Sequence, residues 1–266
     1  MATTMQPARS RPAGVITGSE TAGKGEERAE SGRRTRRKGL VWEYLALASV
    51  PLTLVLGNSM LVPILPTLAR ELRVTSFQSS LVITLFSVAA GLVIPAAGYL
   101  SDRFGRKRVM IPSLLLYGGA GVLAGFGAIW HSYGVLITAR ALQGIGAAGT
   151  APIAMALVGD LYKGGTESQA QGLIEASNGT GKVLSPILGS LLALWVWYAA
   201  FFAFPVFCLL SVLALAFFIH EPERPDSPQP LIPYLRSIGD LFRKDGRWLA
   251  ASFFAGSLAL FILFGA

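Results

Sequence analysis

Three groups of residues in this chain have types and spacings that can do chemistry. Arg140 and Gln143 stand three apart in the apolar run Leu136-Ile-Thr-Ala-Arg140-Ala-Leu-Gln143-Gly144-Ile-Gly146-Ala147. Residues at that spacing share one helix face, and Ala147 lies on it too. An arginine inside a membrane helix costs about 2.5–3.5 kcal/mol or more. Arg140 should therefore face the interior of a helix bundle and have a partner there. One use that fits it is structural, an arginine bonded to carbonyls.

The second group is Gln171, Glu175, Asn178, Lys182, Ser185 and Gly189. These recur every three to four residues and so form one polar stripe on a helix. Glu175 is the candidate proton carrier, because a carboxyl group in low dielectric keeps its proton until a cation approaches. Lys182 lies roughly 10 Å further along the axis, too far for a simple (i, i+4) pair. Each charge then meets a partner on another helix or water in a central cavity. A polar network that only glues helices together is the alternative. Asn58 and Ser59 can line the same cavity, and Pro63 and Pro66 can bend their segment. Glu43 sits at the boundary of that segment and reads as an interfacial charge associated with the N-terminal tail.

The third group is the string Gly98-Tyr-Leu-Ser-Asp102-Arg103-Phe-Gly105-Arg106-Lys107-Arg108. Asp102 falls where a helix ends, placed to accept bonds from arginines or to face a neighbouring helix N-terminus. Gly98 lets two helices approach closely and Gly105 permits a tight reversal. An ordinary basic loop explains the Arg and Lys residues but not their spacing from Gly98 and Asp102.

Other chemistries have little to stand on. Cys208 is a lone cysteine, and His131 and His220 are isolated, so no metal centre and no cofactor is expected. No nucleophile–base pair supports an enzyme. Ser177-Asn-Gly-Thr-Gly181-Lys182 mimics a phosphate loop but has Ala176 where the first Gly belongs and Val183 where Ser or Thr belongs. The sequon at Asn178 falls within an apolar segment.

The elements that must position these groups are membrane spans. Of 266 residues 52% are hydrophobic and only 14% charged, against about 25% charged in soluble domains. The mean hydropathy of +0.53 agrees. About 20 apolar residues make a span. Candidates run from about 44 to 68, 79 to 100, 109 to 130 and 133 to 158. The stretch 169–219 is too long for one span and divides into 170–194 and 199–219 at Trp195, Trp197 and Tyr198, an aromatic belt. A seventh begins at Trp248. The fold class is thus an all-α integral membrane bundle of six helices with a partial or complete seventh.

Charge orients it. With the N-terminus inside, inner segments hold nineteen Lys and Arg residues and outer loops only Arg70 and Arg73. Residues 1–40 form a basic tail whose composition predicts disorder. The run Arg33–Lys38 abuts an apolar segment, so it reads as a cytoplasmic membrane anchor and not as a nucleic-acid arm. Residues 41–220 are the six-span domain. Residues 221–247 are a linker with a short amphipathic helix from Tyr234 to Lys244, and 248–266 are the seventh span. A faint repeat pairs Pro63-Ile64 with Pro152-Ile153, and Pro95-x-x-Gly98 with Pro186-x-x-Gly189, in spans of opposite direction. Inverted three-plus-three repeats mark transporters.

The Gly98–Lys107 string resembles the signature loop of the major facilitator superfamily at every key position. The Arg140–Gln143–Gly144–Gly146–Ala147 helix is similar to a second motif of that family. Gly181-x3-Ser185-Pro186-x-x-Gly189-Ser190 resembles a third, found in its drug:proton antiporters, with serines replacing two glycines. Small residues at Gly181, Ser185 and Gly189 allow close packing. The resemblance implies twelve helices in two halves and alternating access around a midplane site. It implies a cytoplasmic latch at Gly98, Asp102, Arg103, Gly105, Arg106 and Lys107, and a coupling role for Arg140. The expected activity is proton-coupled efflux of drug-like molecules across the plasma membrane. The expected partners are the lipid bilayer, a small-molecule substrate and protons. An exporter or symporter of an organic anion or sugar is the second expectation. A third is a truncated chain without transport of its own, requiring a C-terminal half or self-association.

Overall fold

The computed structural model describes residues 41–219, Glu221 and seven scattered positions between Gly246 and Leu258. The tail, the linker helix and most of the seventh span expected above lie outside these described residues. The described residues form helices joined by short turns, with no strand among them.

The first span is α1 (41–59), a 3-10 turn at Val62–Ile64, and α2 (Leu65–Glu71). The next two are α3 (Ser76–Phe104) and α4 (Arg106–Ile129). The fourth is split into α5 (Tyr133–Ala148) and α6 (Ala151–Leu161). The last two are α7 (Gly165–Ala193) and α8 (Ala199–Phe218). All six expected spans are present as helices, and the turn between α7 and α8 falls at the Trp195–Tyr198 cluster. Five spans are long and apolar enough to cross a bilayer. The sixth, α7, has the length but is more polar, because its sequence carries Gln171, Glu175, Asn178 and Lys182.

Local sequence explains the boundaries. Thr75 and Gln78 form a reciprocal capping box at the start of α3. Ser132 caps α5. Gly105, at φ 110°, separates α3 from α4 with a single residue in a region that side chains rarely adopt. Pro63 and Pro152 each sit in the first turn of a restarted helix, where a missing N–H costs nothing. Both broken spans therefore break at the Pro-Ile pairs of the sequence repeat. Ten residues follow the break in the first span (Val62–Glu71) and eleven in the fourth (Ala151–Leu161). The break at Gly149–Thr150 was not foreseen from hydropathy, which runs unbroken through it.

The bundle core lies where α4 packs on α5 and α8, with α3 laid across α5. Tyr117, Phe86, Phe201, Phe204 and Leu136 fill it. Gly144 makes the α3–α5 contact possible, since a Cβ there would strike the Phe86 carbonyl oxygen and would lie 2.8 Å from Ala89 Cβ. The α1–α8 contact carries a buried hydroxyl pair, Thr53 Oγ1 and Ser211 Oγ, at 2.7 Å.

Candidate functional site

Helix α5 presents Arg140 to the centre of the bundle, where it is fully buried. Its Nε donates to the Val82 carbonyl at 2.8 Å, Nη1 to Gln143 Oε1 at 2.7 Å and Nη2 to Asn58 Oδ1 at 2.6 Å. The guanidinium carbon stands 4.6 Å from the centre of the Phe86 ring. Gln143 passes the chain of bonds on, with Nε2 donating weakly to the Tyr117 carbonyl at 3.4 Å. Tyr117 is wholly buried, and its hydroxyl donates to the Leu54 carbonyl at 3.4 Å and lies against Gly57. Helices α1 and α3 thus converge on Arg140, and Gln143 carries the chain of bonds on to α4. Every partner is neutral. Among the described residues no carboxylate lies within ion-pair distance of Arg140.

The structure brings Arg140, Gln143 and Asn58 together. It does not bring Glu175 into contact with Arg140. Glu175 and Lys182 are both exposed, Asn178 is half-buried, and Gln171 donates to the Met155 carbonyl at 3.0 Å. Neither Glu175 nor Lys182 has an ion-pair partner among the described residues. The stripe on α7 is also not one environment. Gly181, Ser185 and Gly189 are buried against α1. Gly181 faces Val55 and Leu52, Gly189 lies against the Met60 carbonyl, and Ser185 donates to the Val55 carbonyl at 3.3 Å and to the Gly181 carbonyl. Ser177 donates to the Ala48 carbonyl at 2.7 Å. Ser185 therefore serves packing as a satisfied hydroxyl where a glycine was expected. Pro186 is exposed and α7 runs on through it.

Around this packed face, α7 has two unlike flanks. At about 100° per residue, Gln171, Glu175, Asn178 and Lys182 fall on one side. Leu173, Val183, Leu184, Ile187 and Leu191, all exposed, fall on the other. The apolar flank suits lipid. The polar flank suits water or another protein surface.

The α3–α4 loop forms a second cluster. Asp102 accepts from Arg106 Nη1 at 2.6 Å, and Arg106 Nε donates to Asp160 Oδ2 at 3.1 Å. Arg106 Nη1 also donates to Ser101 Oγ at 2.7 Å. Gly98 offers its carbonyl to Ser101. Lys107 Nζ donates to the carbonyls of Ala216 and Ile219, at 2.9 and 2.7 Å. The Arg106 backbone N–H donates to Glu221. Arg103 is exposed, donating to the Tyr99 hydroxyl at 3.0 Å and lying over Phe104. The sequence does not single out Asp160, and it marks Glu221 only as the start of a charged, Pro-rich helix stop, not as a partner of α4. Glu43 was misread as an interfacial charge associated with the tail: it accepts from the Tyr162 hydroxyl at 3.0 Å, joining the ends of α1 and α6. Burial, and then that bond, raises the Tyr162 pKa above the usual phenol range.

Among the described residues no group of His, Cys, Asp and Glu can hold a metal ion. The arrangement can hold a buried cation fixed among neutral acceptors. On another helix, α7, it presents an acid and a base on a polar flank.

Residues 47–266 match a family model described as Major Facilitator Superfamily. The bacillibactin exporter of Bacillus subtilis is 48% identical over 225 residues, covering 83% of this chain and 56% of that protein. The multidrug efflux pump LfrA of Mycolicibacterium smegmatis is 30% identical over 203 residues, covering 75% and 39%. The chain thus spans about half the length of the curated relatives it matches. A crystal structure of the human organic anion transporter MFSD10 (TETRAN) aligns with a TM-score of 0.56 at 23% identity, over 68% of this chain and 47% of that one, and shows the shared fold. With six spans among the described residues in the order that the three motifs imply, and a family match over most of its length, the chain belongs to the Major Facilitator Superfamily.

Proposed function

We propose that this chain supplies one half, the linker and a seventh span of a proton-coupled exporter of drug-like small molecules that works by alternating access. The observation that carries this reading is the buried Arg140, held by Gln143 on its own helix and by two other helices, α1 and α3, in a bundle whose α7 exposes Glu175 on a polar flank. Glu175 takes and releases the proton. Arg140 is a fixed positive charge that biases the cavity against a second cation. Asp102, with Arg106 and Asp160, braces the α3–α4 loop as a latch on the cytoplasmic side, the side that the basic residues assign to it. The similarity to proteins named as exporters and efflux pumps supports export over uptake.

The test is Glu175→Gln in the chain co-produced with a second half. Export driven by a pH gradient should stop while substrate binding persists. Accumulation against a gradient by Glu175→Gln would move the coupling role elsewhere. A second reading, export of an organic anion, is favoured by Lys182, exposed on the same flank without an ion-pair partner among the described residues. Lys182→Ala should shift preference toward cations under that reading and leave the profile unchanged under the first.

A further inference from the structure

We infer that Asn58 is a specificity-determining residue whose side-chain amide is presented as a hydrogen-bond donor to a ligand oxygen bearing negative charge, a carboxylate or a phenolate. The inference deepens the proposed reading by naming a ligand class for its cavity.

The orientation of the amide follows from chemistry. An arginine has donors only, so the Asn58 atom 2.6 Å from Arg140 Nη2 must be the oxygen. That bond pins the amide plane and turns Nδ2 to the opposite side. Nδ2 makes no hydrogen bond within the described residues, and Asn58 is only half-buried. Every buried side-chain nitrogen or oxygen among the described residues has a partner. Nδ2 is therefore open to an incoming molecule.

The surroundings set the sign of that molecule. The Arg140 charge directly behind the amide is balanced by no carboxylate among the described residues, since Val82, Gln143 and Asn58 all offer neutral oxygens. Polarisation along Arg140–Asn58 makes the outer N–H groups stronger donors. The position is also fixed in the backbone. Asn58 is the penultimate residue of α1, just before the break at which the span restarts with Pro63. Interrupted spans at corresponding positions of a repeat are where transporter folds place ligands.

The test is equilibrium binding of salicylate, as the anionic probe, and of tetraphenylphosphonium, as the cationic one, to the full chain in lipid nanodiscs. Asn58→Asp keeps an acceptor for Arg140 but removes the outer donor and neutralises the field. Asn58→Leu removes both. Salicylate affinity should fall at least tenfold in each variant. Thermal stability should hold or rise in Asn58→Asp and fall in Asn58→Leu. Tetraphenylphosphonium should bind Asn58→Asp as well as or better than the parent. Unchanged salicylate affinity in Asn58→Asp would overturn the inference. So would joint loss of both probes in Asn58→Asp, or a parent that binds no salicylate. No flux enters the measurement, so a failure of proton-coupled export would leave the binding result standing.

Discussion

The guanidinium of Arg140 lies inside the bundle among four neutral groups, three oxygens and an aromatic ring. Hydrogen bonds to a charged group contribute about 1.5–3 kcal/mol each, and the ring adds about 1. Together these exceed the roughly 2.5–3.5 kcal/mol cost of placing an arginine in a membrane helix. The fork geometry matters as much as the charge, because three nitrogens reach three different helices or residues. Arg140→Lys should therefore lower stability by about 3 kcal/mol or more, since one ammonium cannot replace the fork; detergent-phase thermal unfolding reads this. Tyr162→Phe is a smaller change, about 1 kcal/mol for one hydrogen bond. Its pH dependence has a definite sign. The bond to Glu43 needs the neutral phenol, and the folded protein raises the Tyr162 pKa above its ordinary 10.0. The stabilisation is complete below about pH 10 and disappears as pH rises through the raised value. The stability gap between parent and Tyr162→Phe should stay constant from neutral pH to about pH 9 and narrow only in strong alkali. At this scale the sequence revealed what one helix can carry. Arg140 with Gln143 is legible from (i, i+3) spacing. The Val82 carbonyl and the Phe86 ring are not, because a backbone acceptor has no sequence signature and a partner 58 residues away follows no period.

At the scale of elements, close approach and interruption do the positioning. Gly144 seats α5 on the Phe86 carbonyl, and Gly134 on the same helix has open space around its Cα. Gly144→Ala should push α3 and α5 apart and cost about 1–3 kcal/mol, the usual range for overpacking. Gly134→Ala should be neutral or stabilising by up to about 1 kcal/mol. A comparison of the two melting curves separates packing from helix propensity, and equal losses would argue against the α3–α5 contact. The α3–α4 loop shows a different balance. Asp102 is about half exposed, with 49% of its side chain accessible, and exposed ion pairs contribute only about 0–1 kcal/mol. Under the proposed latch role, in which the carboxylate acts on gating and not on folding, Asp102→Asn should hardly change melting yet should abolish most transport in a completed protein. Retained export at equal membrane abundance would reduce the loop to an ordinary basic turn. Hydropathy located the spans because each needs a long apolar run. It missed the break at Gly149–Thr150 because both arms of that span are apolar. Only the Pro-Ile pair, repeated from the first span, hinted at it. The docking of Glu221 on the start of α4 joins residues 115 apart across a helix end, and no spacing rule reaches that far.

For the whole molecule, the polar flank of α7 and the half-length match to relatives bear on the same issue. The proposed alternating-access mechanism needs two surfaces that close on each other, and this chain covers 56% of the bacillibactin exporter and 39% of LfrA. Glu175 and Lys182 are exposed without ion-pair partners among the described residues. Leaving such charges against lipid costs about 2.5–3.5 kcal/mol each, which favours burial against a second polar surface. The charge asymmetry predicts an orientation with the α3–α4 loop inside: a cysteine at Ser101 in a Cys208→Ser background should resist an impermeant reagent added outside, and labelling there would invert the topology. Residues 1–266 reconstituted alone in liposomes with an imposed pH gradient should then give no saturable substrate flux. Adding the complementary half of a relative should restore flux that Glu175→Gln abolishes. Gradient-dependent, saturable flux by residues 1–266 alone would show that one half suffices, and would place both faces of the alternating site within this chain or its self-assembly.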